Sequence, residues 1–439
     1  MEQKVMNRWI VVAGAIMIQL SLGVIYAWSA FTTPLQGTAS NPSQYNFTKT
    51  ETQAIFSAGL ATFAIVMILA GRLQQKIPPR NVALGGLLLG AGYIASGFVG
   101  ASFVGKLLTL GIVGGAGIGF AYVVPIAVGV KWFPDKKGLL SGLAVAGFGF
   151  GALIWIMLAS PPAILGISGL IQTVNGVYTV ANVDWVFMVY GMIFLVLIVV
   201  GSLVMVNPPP GYKPIGWVPP DLRDKKGQAR SKDLTSGEML RTWQFYIAWS
   251  MFMFGALAGL MVIGNVQNFA KDVQYGFQGH GFSARQAADF AVIGAAICLP
   301  ILNGMGRIVW GSSSDKIGSR KALLFMFIFQ GAMTATFFFT TVNEYLFYIV
   351  GAMIGFNFGG TLALFPPITA DFFGAKNLGA NYGLMFTAYG VGGIVGPILA
   401  GTVQDYRLSF LYAFIPASAL CFAAAVLAFL VRAPKGKGE

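Results

Sequence analysis

In this 439-residue chain, residues able to do acid–base, nucleophilic or metal chemistry are nearly absent from the apolar stretches, and Arg307 is the exception. A charge at the middle of an apolar helix costs about 2.5–3.5 kcal/mol on insertion scales, so such a residue faces a cavity, a polar partner or a solute path. The planar guanidinium matches a carboxylate through two parallel hydrogen bonds. Asn303 stands four residues earlier, on the same helical face, where it can hold the guanidinium or meet a hydroxyl of a bound molecule. The structural roles that compete with these are snorkelling of Arg307, since Gly311 lies only about one turn further on, and an ordinary interhelical hydrogen bond for Asn303.

Other chemistries are excluded. His280 is the single histidine, and Cys298 and Cys421 both lie in apolar runs, so neither a metal centre nor a disulfide framework is expected. The string Gly147-Phe148-Gly149-Phe150-Gly151-Ala152 formally fits a relaxed dinucleotide fingerprint, but it sits inside an apolar run with no preceding strand. No nucleophile elbow, zincin helix or phosphate loop followed by lysine is present. An enzyme, a metal or cofactor requirement and ATP-driven work are therefore not expected.

The elements that must position Arg307 follow from composition. Hydrophobic residues make up 56% of the chain and charged residues 10%, against about 45–50% and about 25% in soluble domains. Twelve apolar runs of membrane-spanning length cover 8–32, 54–74, 83–103, 107–131, 139–163, 186–206, 243–268, 290–311, 322–341, 345–370, 379–403 and 408–431. The fold class expected is an all-α membrane protein.

Charge placement sets the topology. With the N-terminus in the cytoplasm, 22 of the 28 basic residues fall on the cytoplasmic side and only Lys49, Lys106, Lys271, Arg285 and Arg407 on the other. The positive-inside rule then places both termini in the cytoplasm. Arg307 is the one basic residue left within a run, with no acidic partner, because the 15 acidic residues fall in connections or at run ends. The net charge of +13 is topological: it faces anionic lipid, not nucleic acid.

An internal repeat divides the chain. GRLQQKIPPR (71–80) follows the second run and GSSSDKIGSR (311–320) the eighth, offset by 240 residues; WFPDKKG (132–138) and FFGAKNL (372–378) share that offset. Two six-helix halves follow, 1–206 and 243–439, joined by a polar cytoplasmic segment, 207–242. Such repeats place a substrate site between the halves near mid-membrane.

GSSSDKIGSR resembles the loop signature of the major facilitator superfamily through Gly311, Asp315, Lys316, Gly318 and Arg320. In the first copy, Gln75 stands where the aspartate is expected. GVIYAWSAF (23–31), KWFPDKKGLLSG (131–142), GEMLRT (237–242), NGMGR (303–307), FGGTLALFP (358–366) and NYG (381–383) resemble the oxalate/formate antiporter family, which is related to the monocarboxylate transporters. The resemblance implies the twelve-helix major facilitator fold, a monomer, and carriage of small carboxylates by anion exchange or with protons.

The resemblance also assigns positions. It puts Tyr26, Tyr122, Phe358, Leu362 and Phe386 on the cavity wall, and Tyr389 where oxalate exchangers are expected to carry a lysine. A dianion in a low-dielectric cavity needs two cations and a monoanion one. A lone Arg307 with Tyr389 thus points to a monocarboxylate such as lactate, pyruvate, glycolate or formate. Asp315 and Arg320 are the expected gate residues: Asp315 would hold a basic neighbour or a helix N-terminus in one conformer and release it in the other. Proton-linked monocarboxylate transport is the expected activity and carboxylate exchange the runner-up; a ligand sensor and a neutral-solute facilitator are weaker readings. The expected location is a bacterial inner membrane.

Overall fold

With no water to satisfy a backbone inside a bilayer, an apolar run must close its hydrogen bonds within itself, and each of the twelve runs is helical. The computed structural model describes residues 6–37, 42–159, 161, 166–214, 233–405 and 409–434. Lys4, Arg223, Lys225, Lys226, Arg230, Lys232, Arg407, Lys435 and Lys437 of the charge census lie outside them.

In the first half, α1 spans Arg8–Ala27 and continues as Ser29–Gln36; α2 is Lys49–Leu73, opened by a Thr48/Glu51 capping box. The third rod, α3, is broken into Pro79–Ala83, Leu84–Gly86 and Leu87–Ser96. Then follow α4 (Phe103–Trp132), α5 (Lys137–Ala159) and α6 (Val180–Leu203). In the second half, α7 is Trp243–Lys271, α8 Ala284–Ile317, α9 Ser319–Val342 and α10 Glu344–Phe373. The eleventh rod, α11, is split at Phe386 into Leu378–Met385 and Thr387–Asp405, and α12 is Leu411–Leu430. Ten of these helices are long and apolar enough to cross a membrane. The outer surface carries exposed Phe98, Leu203, Phe429 and Ile65, the inverse of a soluble surface and the face expected toward lipid.

The halves meet through α2 against α11 and through α5 against α8 and α10. Close approach of α5 and α8 depends on glycine. Gly138, Gly142 and Gly149 share one face of α5, and a β-carbon at Gly142 would collide with the Arg307 carbonyl oxygen. Glycine-rich stretches in this fold therefore serve packing. In α8 the ladder widens over Ile293–Cys298, just ahead of Pro300, which has no N–H to donate.

One expectation is corrected here. The charge census places Lys106 in an exposed connection, but it lies buried inside α4. α4 starts about one turn and α6 nearly two turns earlier than their apolar runs, because Ser102 and Thr179 cap them: Ser102 Oγ accepts from Gly105 N (3.1 Å) and Thr179 Oγ1 from Asn182 N (3.3 Å). The extra turns bring Lys106 and Asp184 together as a buried ion pair. Lys106 Nζ also donates to the Ser96 carbonyl at 2.7 Å, and Tyr45 Oη donates to Asp184 at 2.5 Å. Burial, and then the Asp184 carboxylate, push the Tyr45 phenol above its usual range, so it remains a proton donor.

Candidate functional site

Arg307 is fully buried at the junction of α8 with α5. Its Nε donates to Asn303 Oδ1 (3.1 Å), and Asn303 Nδ2 in turn donates to the Gly355 carbonyl of α10 (3.2 Å). Both ends of the Asn303 amide are thus committed, and the residue orients the guanidinium. Nη1 crosses to the other half and donates to the Val145 carbonyl at 2.7 Å. The guanidinium carbon lies 5.5 Å from the centre of the Phe148 ring, a cation–π contact. Nη2 is buried with no hydrogen-bond acceptor. Among the described residues no carboxylate pairs with Arg307.

Aromatic rings from both halves close around this group. Tyr26 Oη of α1 meets Tyr389 Oη of α11 in a short hydrogen bond. Phe386 stacks on Tyr389 with centroids 4.7 Å apart and reaches Tyr122 at 5.3 Å. Phe358 stands 6.3 Å from Tyr26 and 6.4 Å from Tyr389. Tyr26 packs edge-on against Phe148 at 4.9 Å, and Leu362 is buried one turn along α10 from Phe358. The hydroxyls of Tyr122 and Tyr382 are buried without a hydrogen-bond partner. Together with Nη2 they leave several donors and no negative charge in a closely packed, low-dielectric interior, an arrangement suited to a small anion with an apolar end.

This architecture has known counterparts. A profile of the Major Facilitator Superfamily matches residues 9–305 and 283–439. The chain belongs to the major facilitator superfamily. It is 29% identical over 432 residues to the oxalate:formate antiporter of Oxalobacter formigenes, covering 97% of this chain and 91% of that protein. It is 24% identical over 374 residues to apicoplast pyruvate carrier 1 of Toxoplasma gondii, covering 76% and 66%. The solved structure of the proton:xylose symporter XylE, at 15% identity, superposes with a TM-score of 0.68 over 98% of this chain and 97% of that one, a likeness of fold alone. The protein is thus a multi-pass membrane transporter of the superfamily and not an enzyme.

In this superfamily member, the gate candidates lie where α6 ends and α7 begins, here termed the linker end. Asp315 accepts from Gly138 N (2.8 Å) and Leu139 N (2.7 Å), capping the first turn of α5. Arg320 makes no ion pair among the described residues. At the same end Lys137 pairs with Asp371 at 3.2 Å, and Ser319 Oγ donates to the same carboxylate at 2.8 Å.

Of the sequence-predicted residues, the structure brings Arg307, Asn303, Tyr26, Tyr122, Tyr389, Phe358 and Phe386 into one cluster. Sequence reasoning missed Phe148, the Val145 carbonyl and Tyr382. Phe148 lies in the glycine-rich string weighed only as a dinucleotide fingerprint, and Tyr382 in the NYG string that carries the family resemblance; no signal marks Val145, whose contribution is backbone.

Proposed function

We propose that the chain carries small monocarboxylates of the lactate or pyruvate kind by alternating access, with Arg307 taking the carboxylate. The observation that carries this reading is the unpaired, fully buried Nη2 of Arg307, aimed among tyrosine hydroxyls with no carboxylate beside it. Tyr122 and Tyr389 supply hydroxyl donors, and Phe358, Leu362 and Phe386 form the wall for a methyl or short alkyl end. A bound carboxylate neutralises the guanidinium and lowers the cost of moving the loaded centre between its two faces. Entry of the substrate separates Tyr26 from Tyr389, and release of Asp315 from α5 opens the linker end. The moving bodies are 1–206 and 243–439, with 207–242 as the connection; the linker end faces the cytoplasm of a bacterial inner membrane, following the basic residues, and the carrier works as a monomer.

Coupling to protons is the reading favoured by kinship with monocarboxylate carriers. Exchange is the second reading, and two observations favour it: the relative matched over nearly the whole chain is named as an antiporter, and none of the groups that contact Arg307 is Asp, Glu or His. Uptake of labelled lactate into proteoliposomes separates the two. Accumulation driven by an inward proton gradient into empty vesicles and lost with a protonophore establishes symport, whereas uptake requiring internal lactate establishes exchange. Absence of uptake in both conditions removes lactate as substrate. Charge counting has its own test: Tyr389→Lys adds a second cation and is expected to improve inhibition by oxalate about tenfold relative to lactate.

A further inference from the structure

The 240-residue repeat relates two contacts at the linker end, and the two aspartates of one have no acidic counterpart in the other. In the first, Asp315 receives the amides of Gly138 and Leu139, and Asp371 pairs with Lys137. Shifting by 240 residues converts Asp315 to Gln75, Asp371 to Lys131, and Gly138-Leu139 to Leu378-Gly379. Both carboxylates thus have non-acidic counterparts. Gln75 donates to Asn377 Oδ1 at 3.1 Å, and the Asn377 side chain provides no cap to the helix it precedes. Of the counterpart amides, Leu378 N donates to the Ala375 carbonyl at 3.3 Å, and among the described residues no carboxylate caps Gly379 as Asp315 caps Leu139.

What stands there is a cavity of about 320 Å³ lined by Gln74, Gln75, Lys131, Asn207, Lys376 and Asn377, with glycine backbone between them. Gln74 Nε2 is buried with no partner. Lys131 donates to Asn207 Oδ1 at 3.1 Å; the Lys376 backbone amide donates to Asp233 Oδ1 at 3.0 Å, but neither the Lys131 nor the Lys376 ammonium pairs with a carboxylate among the described residues. No acidic residue lines the space. Two ammonium groups, an orphan amide donor and an uncapped helix start in one small cavity are the donor set of an oxyanion site.

We propose that this cavity binds a phosphate-type oxyanion, supplied by a soluble phosphate or by the headgroup of an anionic lipid, which takes the place of the carboxylate that Asp315 provides in the other contact. The lining comes from both halves: Gln74, Gln75 and Lys131 from the first, Lys376 and Asn377 from the second. The bound anion therefore favours the form closed at the linker end and acts as a brake on transport, limited by its difference in affinity for the two forms. This holds whatever solute is carried.

The test is thermal melting of the full chain in phosphatidylcholine nanodiscs, with inorganic phosphate titrated against chloride at equal ionic strength. Phosphate should raise the melting temperature saturably by at least about 2 °C. Gln75→Asp, which restores an internal carboxylate, should melt higher without phosphate and lose the response. Lys131→Gln with Lys376→Gln should lose the response without that gain. A response in phosphatidylcholine assigns a free anion. A rise seen only when phosphatidylglycerol replaces phosphatidylcholine, and lost in the double variant, assigns the lipid headgroup. No rise with either source, or a full rise in the double lysine variant, overturns the proposal.

Discussion

Lys106 and Arg307 are both buried cations on membrane helices, and they are treated in opposite ways. Lys106 is saturated: Asp184, the Ser96 carbonyl and the Ser96 hydroxyl occupy its ammonium, and the rings of Tyr45 and Phe187 lie 5.2 and 4.9 Å from it. All of these groups belong to the first half, so the cluster ties the 1–2 connection and α3 to α4 and α6. Arg307 receives an amide oxygen, a backbone carbonyl and a ring face, with the Tyr26 hydroxyl beside it and no carboxylate among the described residues, and one arm of its fork is left unsatisfied at the boundary between halves. A buried charge with full compensation is architecture; a buried charge held in place but left short of a counter-ion is prepared for a ligand.

The comparison can be broken first at Arg307. Arg307→Ala should reduce carboxylate uptake in proteoliposomes to background while the protein still inserts and elutes as a folded species, and retained uptake would move the site elsewhere. Next, Asp184→Ala should do the reverse. It leaves Lys106 buried without its partner, at a cost of about 3–5 kcal/mol in stability, read as a large drop in melting temperature and yield. Transport per folded molecule should survive.

Smaller effects sharpen the contrast. Asn303→Ala removes one charge-assisted bond to the guanidinium, worth about 1.5–3 kcal/mol. It should weaken apparent substrate affinity by at least about tenfold, and it should lower the melting temperature by less than Asp184→Ala does. Smallest of all, replacing the whole pair, Lys106→Met with Asp184→Leu, should return stability to within about 1 kcal/mol of the parent, because apolar side chains of similar volume substitute for a buried ion pair. A double variant as unstable as Asp184→Ala would show that the cluster needs its charges and not merely their mutual neutralisation.

Legibility in the sequence followed the same division. Arg307 was visible because charge is rare in an apolar run, and Asn303 because an interval of four residues fixes a shared helical face. Tyr26, Tyr122, Tyr389 and Phe386 were reached by resemblance, since nothing in composition separates a site tyrosine from a packing one. The buried Lys106–Asp184 pair was not legible: hydropathy marks where an apolar run begins, whereas Ser102 and Thr179 start the helices about one to two turns earlier through caps that hydropathy does not register. Arg320 was expected at the gate from a loop signature, and the ion pair formed there joins Lys137 to Asp371, 234 residues apart.

The sequence by itself determined the twelve membrane runs, the two-fold repeat and the exceptional arginine, because each depends on local composition or on spacing along one helix. Only the tertiary structure decided which half of the guanidinium is left free, that Tyr26 closes on Tyr389, and which backbone amides meet Asp315 at the linker end. Those facts depend on which backbone carbonyl, ring or amide from a distant helix arrives within about 3 Å of a given donor. Such proximity is set by the packing of glycine faces between α5 and α8 and between α2 and α11, not by any order of residues along the chain.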